Sequence, residues 1–360
     1  MSYRFLISGG GTGGHIYPAI AIADALRTTY SDAEFLFVGA QGRMEMELVP
    51  KAGYPIKGLW ITGIQRKFSL RNLLLPVMLL SSLLKSFFLL LKFKPHYVVG
   101  TGGFASGPLL FVASILKIPY LIQEQNAFAG LTNKWVAPKA DVICVAYPNM
   151  DRFFPKTKVI ITGNPIRSSL TANQIDRALA ASMYDFSTSN KVVLMLGGSL
   201  GSAAMNKWLS EQLNLITSLG FKVLWQCGKI YYNTYRDYES ESVKVVSFIE
   251  NMGAVYELAS GIISRAGAGA ISELAGVGKP TLFIPSPLVA EDHQTKNAES
   301  MVSLNAAMIL RESELSDSSI LKRFLEYVQS GNPAMGDRFK AEARPKAAET
   351  IVQLIAQRLR

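Results

Sequence analysis

A run of five glycines closed by a histidine, near the start of the chain, is its clearest candidate for chemistry. The run, GGGTGGH at residues 9–15, follows an apolar strand pattern (Tyr3–Ser8) and precedes a helical pattern (Pro18–Thr28). Glycines let the backbone approach a ligand closely, and a helix N-terminus favours an anionic oxygen. Histidine is readily tuned for proton transfer near neutral pH. The run therefore predicts a cradle for a phosphate or oxyanion, with His15 as a candidate base.

The residues that follow this loop argue against two well-known classes of glycine-rich phosphate-binding loop. A P-loop needs Lys and then Ser or Thr after its last glycine, where this chain has His15-Ile16. A dinucleotide site needs an acid at the end of the second strand, where the pattern Glu34–Val38 continues into Gly39-Ala40-Gln41. The alternative is that this run is only a tight turn between a strand and a helix, in which the glycines serve packing and bind no ligand.

Length and composition indicate an intracellular two-domain protein. The 360 residues, 49% hydrophobic and 18% charged, allow two folded domains and exclude a disordered chain. The two cysteines, Cys144 and Cys227, lie in separate strand patterns without CxxC or His/Cys ligand spacing. We therefore expect neither a disulfide framework nor a metal site. The first residues lead into a strand pattern without the features of a signal peptide, which indicates the cytoplasm.

Most of the net charge of +10 comes from one window, Leu48–Gln123, which contains nine Lys or Arg residues and no acid. The same window contains the apolar run Leu73–Leu91. We expect helices with an exposed apolar face and a basic rim, which is typical of a surface that lies on an anionic membrane. The predicted patch consists of Arg66, Lys67, Arg71, Leu74, Leu75, Leu79 and Lys85.

The apolar run also resembles a membrane-spanning helix, a buried crossover helix and, by its charge, a nucleic-acid surface. Pro76 and Lys85 inside the run argue against a spanning helix. A buried crossover helix would be equally rich in leucine, but it would not explain why Asp and Glu are absent from the window Leu48–Gln123. Lipid fits the run better than nucleic acid does, because the run has no aromatic stacking pattern.

Strand patterns alternate with helical patterns, which predicts an α/β fold with parallel sheets. The polar stretch 167–190 indicates a linker. After it, the strand pattern Lys191–Leu196, the loop GGSLGS (197–202) and the helical pattern Ala203–Leu219 repeat the opening design. We expect two Rossmann-like parallel-sheet domains, 1–163 and 164–343, facing a central cleft that binds ligands at the carboxyl ends of the strands. A C-terminal helix, within 344–360, is expected to pack on the first domain.

The predicted strands divide evenly between the two halves of the chain. They are Tyr3–Ser8, Glu34–Val38, His96–Gly100, Tyr120–Ile122, Val142–Val145 and Val159–Thr162 in the first half, then Lys191–Leu196, Lys222–Cys227, Val243–Ser247, Gly261–Ser264, Thr281–Ile284 and Ala306–Leu310.

A second candidate site lies at residues 264–273, SRAGAGAISE, where small residues separate a strand end from a helix. Such a turn lets the backbone close on a diphosphate. Glu273, early in the helix, is placed to accept hydrogen bonds from a ribose diol, and Gln294 opens another helix that faces the same edge. The alternative for Glu273 is an acid that only complements the helix dipole.

Eight segments together resemble the GT-B glycosyltransferases, and most closely the MurG family. The segments are GGTGGHIYPA (10–19), GGFASGP (102–108), EQNAFAGLTNK (124–134), GNPIR (163–167), GGS (197–199), FIENM (248–252), RAGAGAISE (265–273) and HQTKNA (293–298). The resemblance extends over nearly the whole chain. It implies transfer of N-acetylglucosamine from UDP-N-acetylglucosamine to undecaprenyl-diphospho-N-acetylmuramoyl-pentapeptide in peptidoglycan synthesis, at the cytoplasmic face of the inner membrane, with an acceptor- and membrane-binding N-terminal domain and a donor-binding C-terminal domain.

The resemblance also assigns the donor contacts. They are Thr12, Gly13, Gly14, Asn126, Arg167, Ser199, Ile249 beside the uracil, Ala268, Gly269, Ala270, Ile271, Ser272, Glu273 and Gln294. Two positions depart from the pattern of many relatives. Leu200 stands where they have Gln, which removes a side-chain amide near the diphosphate, and Gln123 stands where they have His.

The implied reaction is an inverting single displacement, in which the muramoyl 4-hydroxyl attacks the anomeric carbon and UDP leaves. It needs a base for the hydroxyl and stabilisation of the diphosphate. We expect His15 to be the base, with Glu124 as the second candidate, and transfer without a cofactor or metal. A structural histidine is the alternative for His15. A sugar-nucleotide epimerase, a diacylglycerol glycosyltransferase and a non-enzymatic membrane adaptor are the alternative functions.

Overall fold

A computed structural model describes residues 2–63, 73–166, 175–198 and 201–359. The chain forms two compact units. Unit 1 consists of Met1–Arg167 and Arg344–Arg360, and unit 2 consists of Ser168–Ala343.

Unit 1 is built on a parallel sheet of seven strands. They are β1 (Arg4–Ser8), β2 (Glu34–Ala40), β3 (Ile56–Leu59), β4 (Tyr97–Gly100), β5 (Tyr120–Glu124), β6 (Val142–Val145) and β7 (Val159–Ile161). Their order is β3-β2-β1-β4-β5-β6-β7, with Phe5 of β1 opposite both Phe35 and Tyr97. Helices cover both faces of such a sheet, so its strands are nearly continuous apolar runs. The strand β3 was not predicted, because Lys57 and Gly58 leave this short strand without a clear pattern.

Among the described residues, five α-helices connect these strands. They are α1 (Gly13–Thr29), α2 (Glu45–Lys51), α3 (Leu75–Phe93), α4 (Ser106–Ile115) and α5 (Leu131–Val136). The predicted start of α1 at Pro18 was wrong, because Thr12 has an extended backbone and its carbonyl already accepts from the amides of His15 and Ile16. The first turn of α1 therefore lies inside the glycine run.

Unit 2 has a parallel sheet of six strands in an equivalent order, β10-β9-β8-β11-β12-β13. The strands are β8 (Lys191–Leu196), β9 (Phe221–Gln226), β10 (Val243–Val246), β11 (Ala259–Ser264), β12 (Thr281–Phe283) and β13 (Met308–Ile309). Its helices are α6 (Arg177–Ser182), α7 (Ala203–Ser218), α8 (Tyr232–Tyr235), α9 (Met252–Leu258), α10 (Ala268–Val277), α11 (His293–Ser303), α12 (Ser319–Ser330) and α13 (Ala334–Ala341).

The stretch 167–190 is more than the linker that its polar sequence indicated. Residues 167–174 lie outside the described residues, but α6 forms directly after them. Arg177 holds α6 in place by donating to the carbonyls of Glu257, Leu258 and Asn190. Because these partners are distant in sequence, local periodicity could not reveal the helix.

The last helix, α14 (Ala347–Ala356), belongs to unit 1 and packs against α1. Ile351, Val352 and Ile355 are buried in one core with Phe5 and Ile7 of β1. The chain thus starts in unit 1, forms unit 2, and ends in unit 1.

Candidate active site

The glycine run of unit 1 lies between β1 and α1, and the loop after β4 presses against it. The Gly10 amide donates to the Gly102 carbonyl at 3.3 Å. The Thr101 hydroxyl donates to the His15 carbonyl at 2.8 Å. Gly103 has φ of +91°, and a Cβ atom there would overlap the Gly10 backbone. The two loops therefore form one surface at the carboxyl edge of the sheet, and only glycine fits at 103.

A buried acid, Glu45, fixes this run from the other side. One carboxylate oxygen accepts from the Gly11 amide at 2.9 Å, and the other accepts from the Ala40 amide at 2.9 Å. Glu45 is fully buried. No sequence pattern indicated this role, because an acid at the first residue of a helix commonly serves only the helix dipole.

The His15 ring is oriented by its own loop. Its Nδ1 lies 3.0 Å from the Gly10 carbonyl oxygen and 3.4 Å from the Thr12 hydroxyl. A carbonyl oxygen only accepts hydrogen bonds, so the proton of the neutral ring is on Nδ1 and the lone pair is on Nε2. A Cβ atom at Gly102 would lie 3.1 Å from Nε2, so glycine leaves space beside that nitrogen. This is the tautomer that a general base at Nε2 requires.

Glu124, the last residue of β5, is an acceptor for the loop that follows it. Its Oε1 accepts from the amide and the side chain of Asn126 at 3.1 and 3.3 Å. Its Oε2 accepts from the Gly130 amide at 3.0 Å and from the Asn133 side chain at 2.9 Å. The carboxylate is buried, with 2% exposure. Four donors thus hold it in place, and it in turn orients Asn126.

Gln123 lies in a buried network of amides. Its side-chain nitrogen donates to Asn164 at 2.9 Å, and its side-chain oxygen accepts from Gln125 at 2.5 Å. The Asn164 side chain donates to the Gln125 carbonyl. Within the described part of unit 1, Gln123 therefore connects β5 to the segment after β7.

The glycine loop of unit 2 leads from β8 into α7. Ser199 lies outside the described residues, as does Arg167. The Gly197 amide donates to the Gln226 carbonyl at 3.4 Å, and the Gln226 side chain donates to the Gly198 carbonyl at 2.9 Å. Ser202 caps α7, since its hydroxyl accepts from the Met205 amide at 3.3 Å. Hydrogen bonds thus hold both ends of the loop, at Gly197 and Gly198 and at Ser202.

The second small-residue turn of unit 2 ends in α10. The predicted contacts Ala268–Ser272 form the first turn and a half of this helix, and Glu273 follows in its second turn. The Tyr256 hydroxyl donates to Glu273 at 2.5 Å. Burial and the nearby Glu273 charge raise the Tyr256 pKa well above its usual value, so the phenol keeps its proton and fixes the carboxylate.

Two further predicted donor contacts lie at the carboxyl edge of the same sheet. Ile249 follows β10 and is almost fully buried. Gln294 lies in the first turn of α11, and its side-chain oxygen accepts from the Ser286 amide at 2.9 Å. The Gln294 side chain therefore also holds the loop after β12.

The apolar run of unit 1 forms α3, whose exposed face is mostly apolar, unlike that of an ordinary surface helix. Its buried stripe contains Ser82 and Ser86 beside Met78 and Leu90. Large apolar side chains point outward, with Phe88 65% exposed. Among the described residues, α3 is the helix whose length and composition would suit a membrane span, and 22% of its apolar window is buried. A fully buried crossover helix is thus the wrong interpretation.

The predicted patch residues fall partly on α3. Leu74 precedes the helix and is exposed, Leu75 is half-buried, and Leu79 is exposed. Lys85 is exposed but donates from its ammonium group to the Gly58 carbonyl at 2.6 Å. Arg66, Lys67 and Arg71 lie outside the described residues.

Titratable side chains outside these loops offer little for metal binding. Within residues 2–63, 73–166, 175–198 and 201–359, no three His, Cys, Asp or Glu side chains form a group that could hold a metal ion. Both cysteines are buried thiols. Burial raises the Cys144 pKa to about 12, so this thiol stays protonated near neutral pH.

Comparison with known proteins places this geometry in a family. The Glycosyltransferase family 28 N-terminal domain matches residues 5–145, and the Glycosyltransferase family 28 C-terminal domain matches residues 192–352. A relative from Flavobacterium psychrophilum is 48% identical over 98% of this chain and 97% of its own length. A relative from Christiangramia forsetii is 52% identical over 87% of this chain and 86% of its own length. Both are named UDP-N-acetylglucosamine--N-acetylmuramyl-(pentapeptide) pyrophosphoryl-undecaprenol N-acetylglucosamine transferase.

Solved structures agree with this assignment. The crystal structure of Acinetobacter baumannii MurG matches with a TM-score of 0.79 at 26% identity, over 99% of this chain and 100% of that one. The glycotransferase of kitacinnamycin, at 14% identity and a TM-score of 0.75, shares the fold over the full length of both chains. The predicted α/β class, with two Rossmann-like parallel sheets of GT-B type, is therefore confirmed. The chain belongs to the MurG family, within glycosyltransferase family 28.

Proposed function

We propose that this chain transfers N-acetylglucosamine from UDP-N-acetylglucosamine to undecaprenyl-diphospho-N-acetylmuramoyl-pentapeptide, a step of peptidoglycan synthesis. The observation that carries the proposal is the transferase name shared by relatives that are 48% and 52% identical over most of the chain. The glycine loops at the carboxyl edges of both sheets support it, since a sugar-nucleotide transferase must bind anionic oxygens.

In the proposed reaction, the muramoyl 4-hydroxyl oxygen forms a bond to the anomeric carbon as the bond from that carbon to the diphosphate breaks. His15 Nε2 takes the hydroxyl proton, and UDP leaves with the electron pair. Inversion follows from a single displacement at the α-linked donor. The Nδ1 contact with the Gly10 carbonyl supports this role, because it places the lone pair of the neutral ring on Nε2.

Glu124, the second candidate base, fits a positioning role better. Its two oxygens already accept four hydrogen bonds, including two from Asn126. These four bonds use the acceptor positions of both oxygens, so a substrate hydroxyl would have to displace one of the donors to reach the carboxylate. We assign to Glu124 the orientation of Asn126, which the family resemblance makes a donor contact.

The remaining donor contacts are proposed as the resemblance implies them. In unit 1 they are Thr12, Gly13 and Gly14, which surround the start of α1. In unit 2, amides of the loop 197–201 and of the turn before α10 would bind the diphosphate, and Glu273 would accept from the ribose. Tyr256 supports that role by fixing the Glu273 carboxylate.

We also propose that the enzyme is peripheral to the cytoplasmic face of the inner membrane and contacts anionic lipid through α3. The exposed apolar face of α3 supports this, as does the lack of acids in the sequence from Leu48 to Gln123. An acceptor with an undecaprenyl chain resides in the bilayer, so a lipid-facing surface would bring the enzyme to its substrate.

The function is tested by transfer of radiolabelled N-acetylglucosamine from UDP-N-acetylglucosamine to a short-chain lipid acceptor with the muramoyl-pentapeptide head group. Reactions contain EDTA, and diacylglycerol serves as the competing acceptor. We expect label on the muramoyl acceptor alone and no loss of rate with EDTA. Label on diacylglycerol would contradict the proposed acceptor. Conversion of the donor without transfer would indicate an epimerase.

A further inference from the structure

Glu45, the first residue of α2, is a fully buried acid outside the set of proposed catalytic and donor-binding residues. Its Oε2 accepts from the Gly11 amide at 2.9 Å, and its Oε1 accepts from the Ala40 amide at 2.9 Å. A Cβ atom at Gly10 would overlap the carboxylate, so glycine there lets the acid approach the run. Because the protein covers Glu45, an effect of this acid on the reaction must pass through the groups that it binds.

The peptide group that Glu45 binds in the glycine run also binds His15. The Gly11 amide and the Gly10 carbonyl belong to one planar peptide group, and they point in opposite directions because the peptide is trans. The Gly10 carbonyl oxygen lies 3.0 Å from His15 Nδ1. Glu45, the peptide group and the His15 ring therefore form one continuous chain of hydrogen bonds.

The two hydrogen bonds of this peptide group reinforce each other. Both oxygens of Glu45 accept from amides, which is the pattern of an ionised carboxylate. A charged acceptor at the Gly11 amide polarises the peptide, so the Gly10 carbonyl accepts more strongly. The stronger acceptor favours the ring with its proton on Nδ1 and its lone pair on Nε2. Turning the peptide over would bring the carbonyl oxygen against the carboxylate, so Glu45 also fixes the peptide plane.

We propose that Glu45 is a positioning residue for the base, which acts through the Gly10–Gly11 peptide group by holding the proton of His15 on Nδ1. The inference rests on the proposed function, because that function gives the hydroxyl proton to His15 Nε2. Its place in the reaction is to keep the neutral ring in the tautomer and the orientation that proton transfer requires.

The competing hypothesis is that Glu45 only shapes the loop for the donor, whose proposed contacts in this run are residues 12–14. That segment has its own support, since the Thr12 carbonyl accepts from the amides of His15 and Ile16 at 3.1 and 3.2 Å. The two hypotheses differ in steady-state kinetics. Loss of the His15 tautomer lowers kcat, whereas a misshapen loop raises the KM for UDP-N-acetylglucosamine.

The test is a double-mutant cycle measured by steady-state transfer with the full chain. We expect Glu45→Ala, which removes both acceptor oxygens, to lower kcat by roughly 10–100-fold, as the loss of groups that orient histidine does at metal sites. The KM for UDP-N-acetylglucosamine should change by less than about threefold. In the His15→Ala chain, Glu45→Ala should change kcat by less than about twofold, because residues that act as one unit are not additive.

Two further variants keep the test decisive. Glu45→Gln keeps the size of the side chain, but its single oxygen must serve two amides, so we expect a smaller fall in kcat that also disappears in the His15→Ala chain. This variant replaces Glu45→Ala if the latter does not fold. Glu47→Gln is the matched control, because Glu47 lies on the same helix with its side chain 72% exposed, and its kcat should match wild type.

Nitrogen-15 NMR of ring-labelled histidine measures the tautomer directly. The chain has three histidines, and the signals that disappear in His15→Ala belong to His15. His96 Nδ1 accepts from the Arg4 amide at 3.0 Å, so the neutral His96 ring has its proton on Nε2 and provides the opposite tautomer as a reference. With neutral rings, we expect a protonated Nδ1 for His15 in wild type and a shift of that signal toward the unprotonated position in Glu45→Ala.

Several outcomes would overturn the inference. Equal losses of kcat from Glu45→Ala with and without the His15 side chain would do so, as would a rise in KM at unchanged kcat. A wild-type His15 ring with its proton on Nε2, or a tautomer that Glu45→Ala leaves unchanged, would also do so. Near-normal turnover of folded His15→Ala would remove the base that Glu45 serves but leave the transferase function intact. A wild-type chain without transfer to the muramoyl acceptor would overturn the proposed function itself.

Discussion

The position of the proton on the His15 ring decides whether this side chain can act as a base. The Gly10 carbonyl holds the proton on Nδ1, so in the proposed reaction Nε2 is the nitrogen with a lone pair for a substrate hydroxyl. General-base catalysis contributes roughly 10²–10⁴-fold to rates. We therefore expect His15→Ala to lower kcat by that factor in steady-state assays, while the KM for UDP-N-acetylglucosamine changes by less than about threefold.

Two variants make this prediction specific. Glu124→Gln keeps the size of the rival base but exchanges an acceptor for a donor beside Asn126 and Asn133, so we expect a fall in thermal stability together with kcat. His96→Gln changes a histidine whose Nδ1 accepts from the Arg4 amide at the start of the sheet, and its kcat should match wild type. Near-normal turnover of folded His15→Ala would show that the base lies elsewhere.

The sequence pointed to the proposed ligand contacts more readily than to the residues that hold them. His15 and Glu273 lie in short motifs whose spacing has a local physical reason. Glu45 binds the Gly11 amide across 34 positions, and Arg265 reaches Ser202 across 63. Such pairs form only through the fold, so no local pattern marks them. The positioning role proposed for Glu124 could not be predicted for a different reason. Its partners are close in sequence, but its burial cannot be read from the sequence.

The exposed apolar face of α3 leads to a prediction about lipid binding. Leu80, Leu84 and Phe88 lie four residues apart on the exposed face, with Phe88 65% exposed. Replacing all three with Ser removes apolar area without leaving a cavity, so we expect no large change in unfolding free energy. We expect binding to vesicles of phosphatidylglycerol and phosphatidylcholine, measured by sedimentation, to fall at least about tenfold, since each large side chain contributes roughly 1.5–3 kcal/mol on burial.

The buried stripe of α3 provides the control. Leu90 has 1% exposure, so Leu90→Ala should cost about 2–5 kcal/mol of stability. The protein that remains folded should bind vesicles as wild type does. Unchanged sedimentation of the triple serine variant would mean that lipid is contacted through another surface.

Sequence patterns located most strands but placed several boundaries incorrectly. Long apolar runs such as β8 were predicted to the residue, because strands covered on both faces contrast with their polar flanks. The strand β3 and the helix α6 were missed, since each is short and depends on distant partners. The start of α1 was misplaced because a glycine run favours a loop by propensity, whereas here the helix begins at Gly13, inside the run.

The last helix, α14, returns to unit 1 after unit 2 and completes the core of unit 1. Ile351 of α14 is fully buried in unit 1 beside the residues of α1 and β1. Unit 1 can therefore complete its core only after unit 2 has been synthesised. Gln353 lies on the same helix but is exposed, which provides a matched pair of substitutions.

We expect Ile351→Ala to reduce the unfolding free energy of unit 1 by about 2–5 kcal/mol, because the substitution leaves a cavity in its core. Gln353→Ala should stay within about 0.5 kcal/mol of wild type. Calorimetric scans with UDP separate the units, since a ligand at 100 times its Kd stabilises the unit that binds it by about 2.7 kcal/mol. If UDP binds unit 2, it should raise the melting temperature of unit 2 only. Ile351→Ala should lower the melting temperature of the other transition, that of unit 1. A single transition whose melting temperature responds to UDP and to Ile351→Ala would mean that the two units unfold together. In that case the return of the chain to unit 1 would couple donor binding to the stability of the whole enzyme.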